Sequence, residues 1–267
     1  MPLAKINGIN LYYESSGSGS PVVFIPGLGG TVELWALQTG YFQNDYRCIS
    51  LDNRGAGRSD KPAGPYTQAL FASDLNELLN FLEIDEPIIL VGASMGGVIA
   101  QAFIHDYPQR IKKLVLACSG VSAADPHITI CSDEVMHALT NPGNTPEEKA
   151  ETLTRVFYHP EFIRQHPEVK EAYLQRKTEA QPAHAYKAQL AACFDPRPYY
   201  QWLADIAVPV LVIHGADDNV WPVQNARTLV QGIGPNAELY VMKDAAHVFM
   251  QEKPEEFNRV LHDFFRK

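Results

Sequence analysis

Short apolar runs alternate with stretches of helical period along the first 120 residues, and few folds accept that alternation. Pro21-Val-Val-Phe-Ile25, Cys48-Ile-Ser-Leu51, Ile88-Ile-Leu-Val91 and Leu114-Val-Leu-Ala117 each have the length and apolar character of a buried strand. Ile9 to Tyr13 reads as a further strand leaving an Asn7-Gly8 turn. Between these runs, Leu75, Leu78, Leu79 and Leu82 mark one face of a helix over Leu70 to Leu82, and Met95 to Tyr107 continues the helical pattern. Strands without polar alternation must be covered on both faces, and parallel neighbours need long crossovers. The pattern therefore predicts an α/β fold with a mostly parallel, doubly wound sheet.

From about Val121 to Ala204 the rhythm breaks into amphipathic helical text punctuated by Pro126, Pro142, Pro146, Pro160, Pro167, Pro182, Pro196 and Pro198. It resumes with a strand at Val210-Leu-Val-Ile213, a helix after Pro222, a strand at Glu238 to Met242 and a final helix from Pro254. The expected organisation is a core domain of residues 1–120 and 205–267, interrupted by a helical cap, or lid, over 121–204. A length of 267 residues suits such a domain.

Composition excludes several functions. Twenty-two basic residues against 31 acidic ones leave a formal charge of −9, with no basic footprint for nucleic acid or an anionic membrane. No apolar run approaches the length of a membrane span, and the start lacks the pattern of a signal peptide, so the expected location is the cytoplasm. The four cysteines are scattered and form no CxxC, as thiols of a reducing compartment do. Dinucleotide, nucleoside-triphosphate and zinc motifs are missing, so neither a cofactor nor a metal is expected.

The chemistry is carried by Gly92-Ala-Ser94-Met-Gly96, a G-x-S-x-G between an apolar strand and a helix. A sharp strand-to-helix turn lifts its central serine above the sheet, over a helix N-terminus that favours negative charge. A serine hydroxyl needs a base to take its proton. Of nine histidines, His247 sits in the loop after the last strand, preceded by small residues, while His214 at the end of the previous strand is its closest competitor. The imidazole in turn needs a carboxylate to orient it, and either Asp217 or Asp218 could serve from the loop after Ile213.

Taken in order, Pro26-Gly-Leu-Gly-Gly30, Asp52-Asn-Arg-Gly-Ala-Gly-Arg-Ser59, the Ser94 elbow, Gly215 to Pro222 as G-x-x-D-x-x-x-P, and His247 resemble the α/β-hydrolase superfamily over essentially the whole chain. The insertion is similar to that of the branch holding 3-oxoadipate enol-lactonases and haloperoxidase-like esterases. The resemblance implies about eight strands, Asp218 as the acid of a Ser94–Asp218–His247 triad, and an oxyanion hole from the backbone N–H groups of Leu28 and Met95. It differs from many relatives in having Pro26 and Ala93 where they carry histidine.

The expected activity is hydrolysis of a small carboxylic ester or lactone through an acyl-enzyme on Ser94. Enol-lactone hydrolysis, C–C bond hydrolysis and peracid formation use the same constellation, and a slow-turnover small-molecule sensor is the alternative outside catalysis. Dehalogenation would need a carboxylate in place of Ser94. Trp35, Phe157, Tyr158, Val220, Trp221 and Val248 are the candidate pocket residues, and the expected state is a monomer or homodimer.

Overall fold

The computed structural model describes residues 2–174 and 181–267. Its sheet has eight strands: β1 (Leu3–Ile6), β2 (Ile9–Ser16), β3 (Pro21–Ile25), β4 (Arg47–Leu51), β5 (Ile88–Ala93), β6 (Ile111–Ala117), β7 (Val210–Gly215) and β8 (Ala237–Met242). They lie in the order β1-β2-β4-β3-β5-β6-β7-β8. The β1–β2 and β2–β4 pairs are antiparallel, and every pairing from β4 to β8 is parallel. β1 is absent from the sequence expectation. It is four residues long and reaches the sheet through a hairpin whose Asn7 and Gly8 both have positive φ, the turn that Asn-Gly favours.

Alternate residues of the central strands feed two cores. Val22 and Phe24 of β3 pack with Trp35, Phe42 and Phe257 on one face, while Val23 and Ile25 pack with Leu75, Leu78 and Phe103 on the other. Short helix α1 (Ala36–Phe42) and α2 (Gln68–Phe81) lie on opposite sides accordingly. α2 starts where the Thr67 side chain accepts the Leu70 N–H, and it buries Phe71, Leu75, Leu78 and Leu79. Each such large apolar side chain contributes about 1.5–3 kcal/mol when fully buried. α3 (Met95–Asp106) runs from Ser94 and is buried nearly all round.

Between β6 and β7 the chain forms α4 (Asp133–Thr140), α5 (Pro146–Phe157), α6 (Pro160–Gln165), α7 (Glu168–Leu174), α8 (Ala183–Ala192) and α9 (Tyr199–Trp202). No strand occurs among the described residues of this segment; residues 175–180 of the expected cap lie outside them. Its prolines begin helices as well as separating them. Pro146 and Pro160 occupy first-turn positions, where a missing N–H costs nothing, and Thr145 and Glu148 close a capping box at the start of α5. The chain then returns through α10 (Gln224–Ile233), α11 (Phe249–Glu252) and α12 (Pro254–Arg266). Among the described residues no helix is long and apolar enough to cross a membrane.

The Asp52 to Ser59 loop braces the strand ends. Asp52 accepts the Val32 and Arg58 N–H groups, each at 2.8 Å, and Asn53 donates to the Pro26 carbonyl at 3.1 Å. Arg54 forms a two-pronged, buried pair with Asp74 of α2 at 2.5 and 2.6 Å. Removing one member leaves an uncompensated buried charge. Asp74→Ala should therefore cost about 3–5 kcal/mol in urea unfolding. A loss below about 1 kcal/mol would contradict this account of the pair.

Candidate active site

At the junction of β5 and α3, Ser94 has φ 55° and ψ −123°, a conformation that L-residues rarely adopt. Neighbours hold it there. The Ser94 N–H donates to the Ala117 carbonyl at 2.9 Å, and the Ser94 carbonyl accepts from Ser119 Oγ at 2.8 Å and from the Gly97 N–H at 2.9 Å. Two glycines are required by close approach. A Cβ on Gly96 would lie 2.4 Å from the Ile25 carbonyl oxygen, and one on Gly27 would lie 2.8 Å from Ser94 Cβ. The strained turn and the Pro26–Gly30 loop are thus in direct contact, as the elbow motif requires.

Asp218 lies beyond the end of β7, fully buried. Its Oδ1 accepts the Val220 and Trp221 N–H groups at 2.8 and 2.9 Å, which curl the loop around the carboxylate. Its Oδ2 faces His247 Nδ1 at 2.8 Å. An acceptor-only carboxylate at that distance fixes the proton on Nδ1, so Nε2 of His247 carries the free lone pair. Burial alone would raise the Asp218 pKa, but the attraction of His247 and the hydrogen bonds from His214 and His247 together hold it well below the usual carboxylate range.

His214, the sequence competitor for the base, takes a different place. Its Nε2 lies 2.5 Å from the Trp221 carbonyl and 3.3 Å from Asp218 Oδ2. Both neighbours accept, so Nε2 carries hydrogen, and the ring buttresses the carboxylate from beneath. Asp217 turns the other way. Its side chain is 51% exposed, and its Oδ2 lies 3.8 Å from His159 Nε2 on the helical segment.

The loop of His247 is fastened to that segment. The Phe157 carbonyl accepts the N–H groups of both His247 and Val248, at 3.0 and 3.1 Å, and the Phe157 ring stacks on the imidazole with centroids 5.5 Å apart. Glu252 bridges the two, accepting the His159 N–H at 2.8 Å and the Ala246 N–H at 3.0 Å. None of these tertiary bonds has a local sequence signal.

Ser94 and His247 open into one cavity of about 1100 Å³, walled by the core on one side and the helical segment on the other. Leu28, Phe157, Val220, Trp221 and Val248 also line it. Two expected pocket residues do not line it among the described residues. Trp35 is fully buried in the core on the far side of the sheet, between Phe24 and Phe257, because the single 3-10 turn Val32–Trp35 aims it inward. Tyr158 leaves α5 in extended conformation, with its ring stacked on Phe162 and its hydroxyl donating to Gln251. Met95 is buried at the first position of α3, where helix geometry leaves its N–H without an intrahelical acceptor. Cys118 also borders the cavity; burial, then the Asp218 charge, push its thiol well up, which keeps it protonated and unreactive.

A mostly parallel eight-stranded sheet with a strained serine at a strand-to-helix turn defines the α/β-hydrolase class. Residues 20–254 match the alpha/beta hydrolase fold family, and the chain belongs to it. The 3-oxoadipate enol-lactonase 2 of Acinetobacter baylyi is 29% identical over 97% of this chain and 94% of its own length. Among solved structures, an N-acyl homoserine lactone degrading enzyme superimposes with a TM-score of 0.84 at 30% identity, over 98% of this chain and all of its own. A thermophilic esterase from Thermogutta terrifontis gives 0.83 at 27% identity, over 99% and 96%.

The lowered Asp218 pKa sets a sign for stability against pH. A carboxylate held below its unfolded value of about 3.9 stabilises the fold above that pH and loses its contribution as pH falls. The stability difference between wild type and Asp218→Asn should therefore shift in the variant's favour as pH drops from 5 to 3, read as thermal midpoints. A difference constant over that range would contradict the assignment.

Proposed function

We propose that this protein is a serine hydrolase that cleaves a small carboxylic ester or lactone through an acyl-enzyme on Ser94. The observation that carries this reading is the Asp218–His247 pair at 2.8 Å, whose imidazole opens into the same cavity as the elbow serine. Nε2 of His247 takes the Ser94 proton as Oγ attacks the substrate carbonyl, and Asp218 supports the imidazolium. The N–H groups of Leu28 and Met95 receive the developing oxyanion. Collapse of the tetrahedral intermediate passes the proton from Nε2 to the leaving alcohol oxygen. A water then gives a proton to Nε2 of His247 as its hydroxide adds to the acyl carbon; the Oγ–acyl bond breaks, Nε2 returns the proton to Oγ, and the acid leaves. In ligand-free enzymes the nucleophile–base contact is commonly loose and tightens when substrate binds.

The chemistry needs no cofactor or metal. In this reading the core, residues 1–120 and 205–267, carries the triad, and 121–204 is a lid over the substrate. Phe157, Val220, Trp221 and Val248 then contact the acyl or alcohol group, in a cytoplasmic enzyme acting on small molecules. Two relatives, an enol-lactonase and an acyl homoserine lactone degrading enzyme, favour lactones among the esters.

A panel of p-nitrophenyl esters and lactones of graded acyl length tests the reading. Ser94→Ala should abolish turnover of every substrate that the wild type accepts. Asp218→Asn should lower kcat by roughly 10²–10⁴, since it removes the charge that supports the imidazolium. Asp217→Asn should lose less than about tenfold, because an exposed carboxylate contributes little to the reacting charge. Activity surviving in Ser94→Ala, or the reverse order of the two aspartates, would contradict it. A stoichiometric burst followed by near-zero turnover would favour the sensor.

A further inference from the structure

The loop from Gly27 to Gly30 is a tight turn closed by the Gly30 N–H on the Gly27 carbonyl at 3.1 Å. Its third residue, Gly29, has φ +65°, as turns with glycine at that position do. The Gly27–Leu28 peptide is trans, so its N–H points opposite to the carbonyl that Gly30 holds. The turn uses neither the Leu28 nor the Gly29 N–H internally, so where the loop sits depends on what the Gly29 N–H meets outside it.

One side chain holds it, and it comes from the lid. Gln189 of α8 is wholly buried and uses both ends of its amide. Its Oε1 accepts the Gly29 N–H at 3.0 Å, and its Nε2 donates to the Arg54 carbonyl at 2.7 Å. Gln181 completes the group, donating from Nε2 to Gln189 Oε1 at 2.9 Å and to the Gly55 carbonyl at 2.8 Å. The Arg54 backbone is itself anchored by the buried Arg54–Asp74 pair, so the amide ties the turn at Gly29 to a rigid point of the core. A glutamine buried merely to dock a helix would be satisfied by any pair of backbone groups. This one spends its acceptor on the residue after Leu28.

We propose that Gln189 is a positioning residue for the oxyanion site. It fixes the place of the Gly27–Gly30 turn, and with it the Leu28 N–H, relative to Ser94, and so makes transition-state stabilisation depend on the seating of α8. The inference rests on the Ser94 chemistry proposed above. Gln189 touches no reacting atom; it acts through Leu28. Interactions realised only in the transition state lower kcat and kcat/KM together when lost, and weaken tetrahedral-adduct inhibitors in parallel.

The experiment compares wild type with Gln189→Leu, Gln189→Asn and Gln68→Leu. Readouts are ester kinetics, thermal midpoints and inhibition by an alkyl boronic acid, which forms a tetrahedral adduct on an active serine. Gln68 is the control, since it too is fully buried and docks α8 by donating to the Ala192 carbonyl at 2.9 Å, away from the loop. Removing an oxyanion donor outright costs about 10²–10³ in kcat, and Gln189→Leu should lose roughly tenfold to a hundredfold of kcat with KM little changed. Boronate affinity should fall by the same factor. Gln189→Asn, polar but too short to reach Gly29, should fall likewise. Gln68→Leu should lower the melting point without lowering kcat. Equal kinetic losses in the Gln68 and Gln189 variants, or a kcat within threefold of wild type in Gln189→Leu or Gln189→Asn, would overturn the inference while leaving the Ser94 reading intact. Failure of the boronic acid to inhibit wild type, with activity retained in Ser94→Ala, would instead overturn the Ser94 reading and this inference with it.

Discussion

A buried carboxylate with four donors around it organises the site. Taking the Asp218 charge out of water costs several kcal/mol unless its oxygens are satisfied, and here they are: two loop amides on Oδ1, and His247 and His214 on Oδ2. Those four contacts explain the geometry beyond β7. The amides of Val220 and Trp221 wrap the loop, the Trp221 carbonyl and Asp218 share the hydrogen of His214, and the remaining direction of Oδ2 fixes His247. The parallel sheet brings the ends of β5, β7 and β8 to one edge, where the elbow serine stands over the same cavity.

The helical segment is more than a roof. It grips the loop of His247 through the Phe157 carbonyl and through Glu252, and it grips the Pro26–Gly30 loop through Gln189. Burial raises the Glu252 carboxyl, and the two N–H groups it accepts work against that rise. Cutting the segment out would therefore remove supports from both loops as well as opening the pocket. A change in acyl preference on deletion would come with a loss of rate.

Much of this was legible in the sequence because it rests on local period and on backbone constraint. The apolar runs of β3, β5, β6 and β7 are strands because no polar alternation interrupts them, and Gly92 to Gly96 marks the elbow because only small residues tolerate the contact with Ile25. Other parts depend on contacts distant in sequence. Asp217 and Asp218 are chemically alike and adjacent, so residues alone left both open, and the direction of each side chain beyond β7 separates them. Trp35 and Tyr158 were misplaced because helix phase and helix exit, not residue type, decide where a ring points. His214 had a signal, at the end of β7 four residues before Asp218; Gln189 and Glu252 had none.

The central claim is that the carboxylate, the imidazole and the elbow serine work as one nucleophilic unit. Peptide mapping by mass spectrometry after reaction with an alkyl fluorophosphonate tests it most directly. The account predicts one stoichiometric phosphonyl adduct, on the peptide bearing Ser94, lost in Ser94→Ala and strongly slowed in His247→Ala. An adduct on another residue, or labelling of Ser94 at an unchanged rate without the imidazole, would contradict it.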